Sequence, residues 1–164
     1  MLRQATIILA ALALAGLGAL RPAQADELIE TRIVMHATSV QTQDVGDVDG
    51  HVLGLIRASG IASFQDGSTA TAFFVAQTDY VKGSGTNSTF SNLTFDDGSV
   101  LWYKTTGTAA ADGARTKFRG TITVLGGKGR FAGATGEGGF NGARIAPLAS
   151  GADLFLDQMI NVKK

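Results

Sequence analysis

The 164-residue chain contains no cysteine. Thiol nucleophiles, cysteine-ligated metals and disulfide staples are excluded together, so packing and sheet closure must supply the stability of the fold. Only two histidines are present, His36 and His51, and a metal site would need both to converge with carboxylates such as Asp44, Asp47 or Asp49. Those three aspartates resemble half of a calcium loop, but the glutamate that would close it is missing, and the stretch reads as a solvated loop. No metal or cofactor is expected. A G-x-S-x-G elbow is absent, which removes the usual setting for a serine nucleophile. No ten-residue window combines helical periodicity with caps. No Pro/Ser-rich linker or charge run divides the chain.

A long hydrophobic run occurs at the front. Arg3 precedes a nearly unbroken apolar stretch from Ile7 to Leu20, and Ala23-Gln24-Ala25 follows as a small-x-small cleavage sequence. The run is about 14 residues, short of the roughly 20 needed to cross a membrane, and Arg21 and Pro22 end it. Residues 1–25 are therefore expected to be a signal peptide cleaved after Ala25. No arginine pair precedes the apolar run, which favours general export. The expected destination is the periplasm or exterior of a bacterium, with no membrane anchor in the mature chain. Asn87-Ser88-Thr89 and Asn92-Leu93-Thr94 match glycosylation sequons and are incidental in such a chain.

The mature chain, 26–164, has 139 residues, enough for one domain with its own core. It carries 12 Lys and Arg against 14 Asp and Glu, a formal net charge of −2. Arg115, Lys117 and Arg119 alternate on what reads as the solvent face of a strand. Nucleic acid, which selects a basic face, is not an expected partner.

After Asp26 the sequence reads as eight strands separated by Gly, Asp or Asn: 28–40, 51–64, 68–81, 86–95, 99–108, 114–125, 136–145 and 152–162. Long consecutive hairpins in so small a domain point to a closed antiparallel barrel. Phe64-Gln65-Asp66-Gly67-Ser68 recurs as Phe95-Asp96-Asp97-Gly98-Ser99, and Asp-Gly between alternating runs signals a two-residue hairpin turn. That register sets Phe64 opposite Thr69 and Phe95 opposite Val100. One face then holds Ile56, Ala58, Ala62, Phe64, Phe73, Val75, Leu93, Phe95, Val100 and Trp102, and is read as the interior. The other face, with Leu53, Leu55, Phe74 and Leu101 among polar residues, is apolar enough to contact another subunit. On strand one, Ile29, Ile33 and Met35 fill the core more naturally than Glu30, Arg32 and His36. The candidate ligand-binding set is Phe73, Val75, Gln77, Asp79, Trp102, Lys104 and Phe118, an apolar surface with a few polar groups.

Between residues 125 and 140, seven of sixteen residues are glycine. Ala132 breaks G-x-G-x-x-G, G-x-x-x-x-G-K-[ST] is absent and no amphipathic helix follows, so this is not a phosphate loop. It reads as a device for tight turns and close backbone approach, with a short helical turn near Phe131–Ala134. The run Gly126-Gly127-Lys128-Gly129-Arg130-Phe131-Ala132-Gly133-Ala134-Thr135-Gly136 resembles the G-G-x-G-x-F-x-x-A-x-G signature of the allene oxide cyclase and dirigent superfamily. Phe118-Arg119-Gly120-Thr121-Ile122-Thr123-Val124 is similar to the strand that leads into it there. The resemblance implies an eight-stranded, calycin-like antiparallel barrel with an apolar lumen, usually in a homotrimer. Members cyclise or isomerise hydrophobic molecules or steer the coupling of phenolic radicals. No family catalytic residue has a matching motif in this chain.

Two functions are therefore in competition. One is a lumen that binds a small hydrophobic molecule and acts on it, if at all, as a cofactor-independent isomerase or cyclase. It calls for an enclosed apolar cavity of roughly several hundred cubic ångströms. The other is a non-catalytic exported oligomer with a filled barrel and apolar contact faces.

Overall fold

Successive side chains of a strand point to opposite faces, and the sequence exploits this almost throughout. In β1 (Glu27–Asp44), Ile29, Thr31, Ile33, Met35 and Ala37 are buried, while Glu30, Arg32, Val34 and His36 are exposed. The computed structural model describes residues 26–146 and 152–164; the expected signal peptide lies outside the described residues. The chain continues through β2 (His51–Phe64), β3 (Thr69–Val81), β4 (Ser84–Phe95), β5 (Val100–Asp112), β6 (Arg115–Lys128), β7 (Thr135–Arg144) and β8 (Asp153–Lys163). Each strand pairs antiparallel with its neighbours in the chain, and β8 pairs with β1. The sheet thus closes into an eight-stranded up-and-down barrel with no free edge.

Closure needs local irregularity, because a sheet must coil to meet itself. The register shifts between Ala37 and Ser39 in the β1–β2 pair, and between Trp102 and Tyr103 in the β5–β6 pair. The described residues contain no helix long and apolar enough to cross a membrane.

The two Asp-Gly hairpins differ from the sequence expectation by one residue. Phe64 N–H donates to the Ser68 carbonyl at 3.1 Å and Gly67 N–H donates to the Phe64 carbonyl at 3.1 Å, so the loop is Gln65-Asp66-Gly67. Gly67 sits at φ 84°, the left-handed position of a three-residue loop with a bulge. Phe95, Ser99 and Gly98 repeat the pattern. Each loop is held by its aspartate: Asp66 Oδ1 accepts from Ser68 N–H at 2.9 Å and Oγ at 2.6 Å, and Asp97 Oδ1 accepts from Ser99 N–H at 2.8 Å. A slip of one residue sends every side chain of the following strand to the other face. Ser63 therefore lies opposite Thr69, and Thr94 opposite Val100. The interior faces read for β2 and β4 are correct. In β3 the inward row is Ala70, Ala72, Phe74, Ala76, Thr78 and Tyr80, and in β5 it includes Leu101, Tyr103 and Thr105.

The glycine run closes one end of the barrel. It forms the end of β6, a single 3-10 turn at Gly129–Phe131 and the start of β7. Phe131 is fully buried and stacks in a row with Phe95 (5.2 Å between ring centres) and Phe64 (5.6 Å from Phe95). Arg130 lies over Phe95 at 4.1 Å and bonds the Asp97 carboxylate at 2.7 Å. A Cβ on Gly127 would overlap the Val100 carbonyl oxygen and the Phe131 Cβ, so only glycine permits this approach. Lys164 reaches Glu27 at 2.7 Å beside the same plug.

Candidate lumen site

Beyond the aromatic plug, the inward residues become small. Ala37, Ala72 and Ala76 face Ile33, Met35, Phe74, Phe118 and Phe140 around an internal cavity of about 70 Å³. This is well below the several hundred cubic ångströms expected from sequence, because phenylalanine rings from β3, β6 and β7 occupy much of the lumen. By the roughly 10–15 Å³ needed per water, it still has room for a few small atoms.

Polar groups interrupt the apolar wall at particular points. Tyr103 is buried on β5 and donates its hydroxyl to Gln158 Oε1 on β8 at 3.0 Å. Burial pushes its phenol up to about 12, against the opposing hydrogen bonds of Gln158 and Ser91, so it is a neutral donor at physiological pH. Tyr80 on β3 is likewise raised by burial and accepts from Asn87 Nδ2 at 3.4 Å. Thr78, Thr89 and Thr105 add buried hydroxyls. Arg144, at the end of β7, also lines the cavity and donates from Nη2 to Thr116 Oγ1 at 2.9 Å. No carboxylate and no histidine is among the described residues that line it.

The seven residues expected at the lumen separate into two groups. Phe118 lines the cavity. Phe73 borders it but belongs to the outward row of β3 and is 37% exposed. The others are corrected by the hairpin register. Val75 is half-buried on the outer face, Gln77 is exposed beside Leu53 and Leu55, and Trp102 is 45% exposed. Lys104 holds its ammonium over the Phe90 ring at 5.7 Å on the same outer side. Asp79 accepts from or pairs with His51 Nε2 at 2.8 Å, while Asp47 meets His51 Nδ1 at 2.6 Å. Asp79 is thus part of a clasp on the outside, not a buried acid or base.

Tyr103, Gln158 and Arg144 were missed. Phe140 and Arg144 are four residues apart on one strand and so share a face, a signal present in Phe140-Asn141-Gly142-Ala143-Arg144. Tyr103 and Gln158 become visible only once the β5 parity is right and β8 is placed beside β7.

The geometry defines a class: a small closed antiparallel barrel, plugged at one end, with a narrow apolar cavity towards the other. Its fold is that of the dirigent proteins. The structure of a pterocarpan synthase dirigent protein superposes with a TM-score of 0.52 at 12% sequence identity, covering 97% of this chain and 100% of that one. No profile of a known family and no curated protein sequence matches the chain.

Proposed function

We propose that this is an exported barrel that binds a small hydrophobic molecule in its lumen. The carrying observation is the cavity itself: an interior volume walled by alanine, isoleucine and phenylalanine, with hydroxyl and amide groups at fixed points. Apolar enclosure supplies affinity and the few polar groups supply orientation. At about 70 Å³ the resting lumen suits a body of a few carbons; a larger ligand requires Phe74, Phe118 or Phe140 to turn aside. The described lining offers apolar contact, hydrogen-bond donors and one cation. Any conversion of the ligand as an isomerase or cyclase would therefore draw on confinement of its reactive shape.

The outer face favours a second element of this reading, assembly with copies of the same chain. Val75 lies opposite Phe90, and Phe90 opposite Lys104; Trp102 and Leu125 adjoin across the β5–β6 pair. Phe90 is 57% and Leu125 53% exposed. Such a contiguous apolar patch is typical of a contact surface, and a homotrimer is the favoured form by likeness to the superfamily. The alternative function, a non-catalytic interaction protein, would rest on this face alone.

Titration of isotopically labelled protein with n-butanol, followed by NMR, tests the lumen. Resonances of Phe74, Tyr103 and Phe118 are expected to shift together, and Ala76→Leu, which fills the cavity, is expected to abolish the response while leaving the fold intact. Shifts confined to outer residues, or persisting unchanged in A76L, would overturn the lumen reading.

A further inference from the structure

Arg144 is the one charged residue among the described groups lining the cavity, and nothing in that lining opposes its charge. Among the described residues its guanidinium makes a single hydrogen bond, Nη2 to Thr116, although it carries five donors. Its Nε is buried with no partner at all, the sole such side-chain atom among the described residues. Arg144 as a whole is half-buried, but its Nε is closed off from water, and a buried donor left unmade is costly. Two other arginines are paired with carboxylates: Arg32 forks onto Asp157 at 2.7 and 2.8 Å, and Arg130 meets Asp97. Among the described residues Arg57, Arg115 and Arg119 also lack a carboxylate, but they are exposed to water on the outer face; Arg144 differs in burying its unpartnered Nε beside the cavity.

We propose that the lumen takes a small monocarboxylate with an apolar body, its carboxylate on the Arg144 guanidinium and its carbon chain among Met35, Phe74, Phe118 and Phe140. This rests on the lumen-binding reading and deepens it. The planar guanidinium fork fits a carboxylate, whose two oxygens can accept from it side by side. One cation compensates one negative charge, so a dianion would bring an unpaired charge into the same apolar wall. The thin cavity sets the upper size of the chain. Burial lowers Arg144 from the usual arginine range, consistent with a charge that lacks its counter-ion.

The test compares butyrate with butyramide, which has the same shape and no charge, in wild-type protein and in Arg144→Gln and Arg144→Lys. Calorimetry is expected to show butyrate binding at least tenfold more tightly than butyramide in wild type. That preference should vanish in R144Q and survive in part in R144K. The Arg144 Nε–H resonance should move with butyrate and stay fixed with butyramide. Equal affinities in wild type would overturn the carboxylate assignment while leaving lumen binding standing, as would a preference that persists in R144Q. Inorganic phosphate binding as tightly as butyrate would do the same, since it needs no apolar chain. Failure of both probes to bind would overturn the lumen reading together with this one. The wild-type comparison needs no variant and holds even if R144Q fails to fold.

Discussion

Single residues decide how the closed end of the barrel is built. Gly127 packs its bare backbone against Val100 and the buried Phe131, so a methyl group there must push either the β5 backbone or the plug aside. Gly127→Ala is expected to lower stability by about 2–3 kcal/mol, in the range of overpacked cores; urea unfolding with an unchanged m-value measures it. His51 illustrates a different dependence. Its ring is hydrogen-bonded first by Asp79 and then by Asp47, which holds it protonated above the ordinary histidine value. A raised folded-state value means that the stabilisation is complete below about pH 6.5, the unfolded reference, and is lost as pH rises through the folded one. The melting-temperature advantage of wild type over His51→Gln should therefore be largest near pH 6 and shrink as the solution is made alkaline. Asp47, held low by the same contact, removes the advantage again when pH falls through its folded value. A constant difference across the whole range would show that the clasp is electrostatically idle.

At the scale of elements, much of the architecture is legible from alternation and turn residues. The expected and observed bounds of β2 coincide, and the other strands differ at their ends by a few residues. Alternation also places Ile29, Ile33 and Met35 inside. The lumen is less legible, and the reason lies in Asp66 and Asp97. Asp-Gly favours a two-residue turn locally, but each aspartate here caps the serine two positions on, and the glycine takes the left-handed bulge of a longer loop. The Asp-Gly-Ser triplet contains that information; the Asp-Gly pair alone does not. Because period two is unforgiving, this small difference moved Trp102 and Val75 from lumen to exterior. Arg144 escaped notice for another reason: a charged residue at a strand end is normally solvated, and only the closed ring of strands brings it over a cavity.

For the whole molecule, one error of parity joins the two surfaces. Val75 and Trp102, expected to line the lumen, instead supply the outer apolar patch with Phe90 and Leu125. If that patch is buried between copies, wild-type protein should run as a defined oligomer by native mass spectrometry, and the pair Phe90→Ser with Trp102→Ser should release monomers that still fold and still bind in the lumen. A wild-type monomer at micromolar concentration would instead leave the patch for a different partner.

The Lys164–Glu27 contact has a practical side. It brings the two ends of the described barrel to one pole, beside the Phe64–Phe95–Phe131 stack, whereas Arg144 and the cavity lie towards the opposite pole. A linker attached at either end leaves from the plugged side. The barrel can then be fixed to a bead, a sensor surface or a fusion partner with its cavity pole facing the solution, and a short bridge between residues 164 and 27 would allow the chain to be reopened at another hairpin without crossing the cavity.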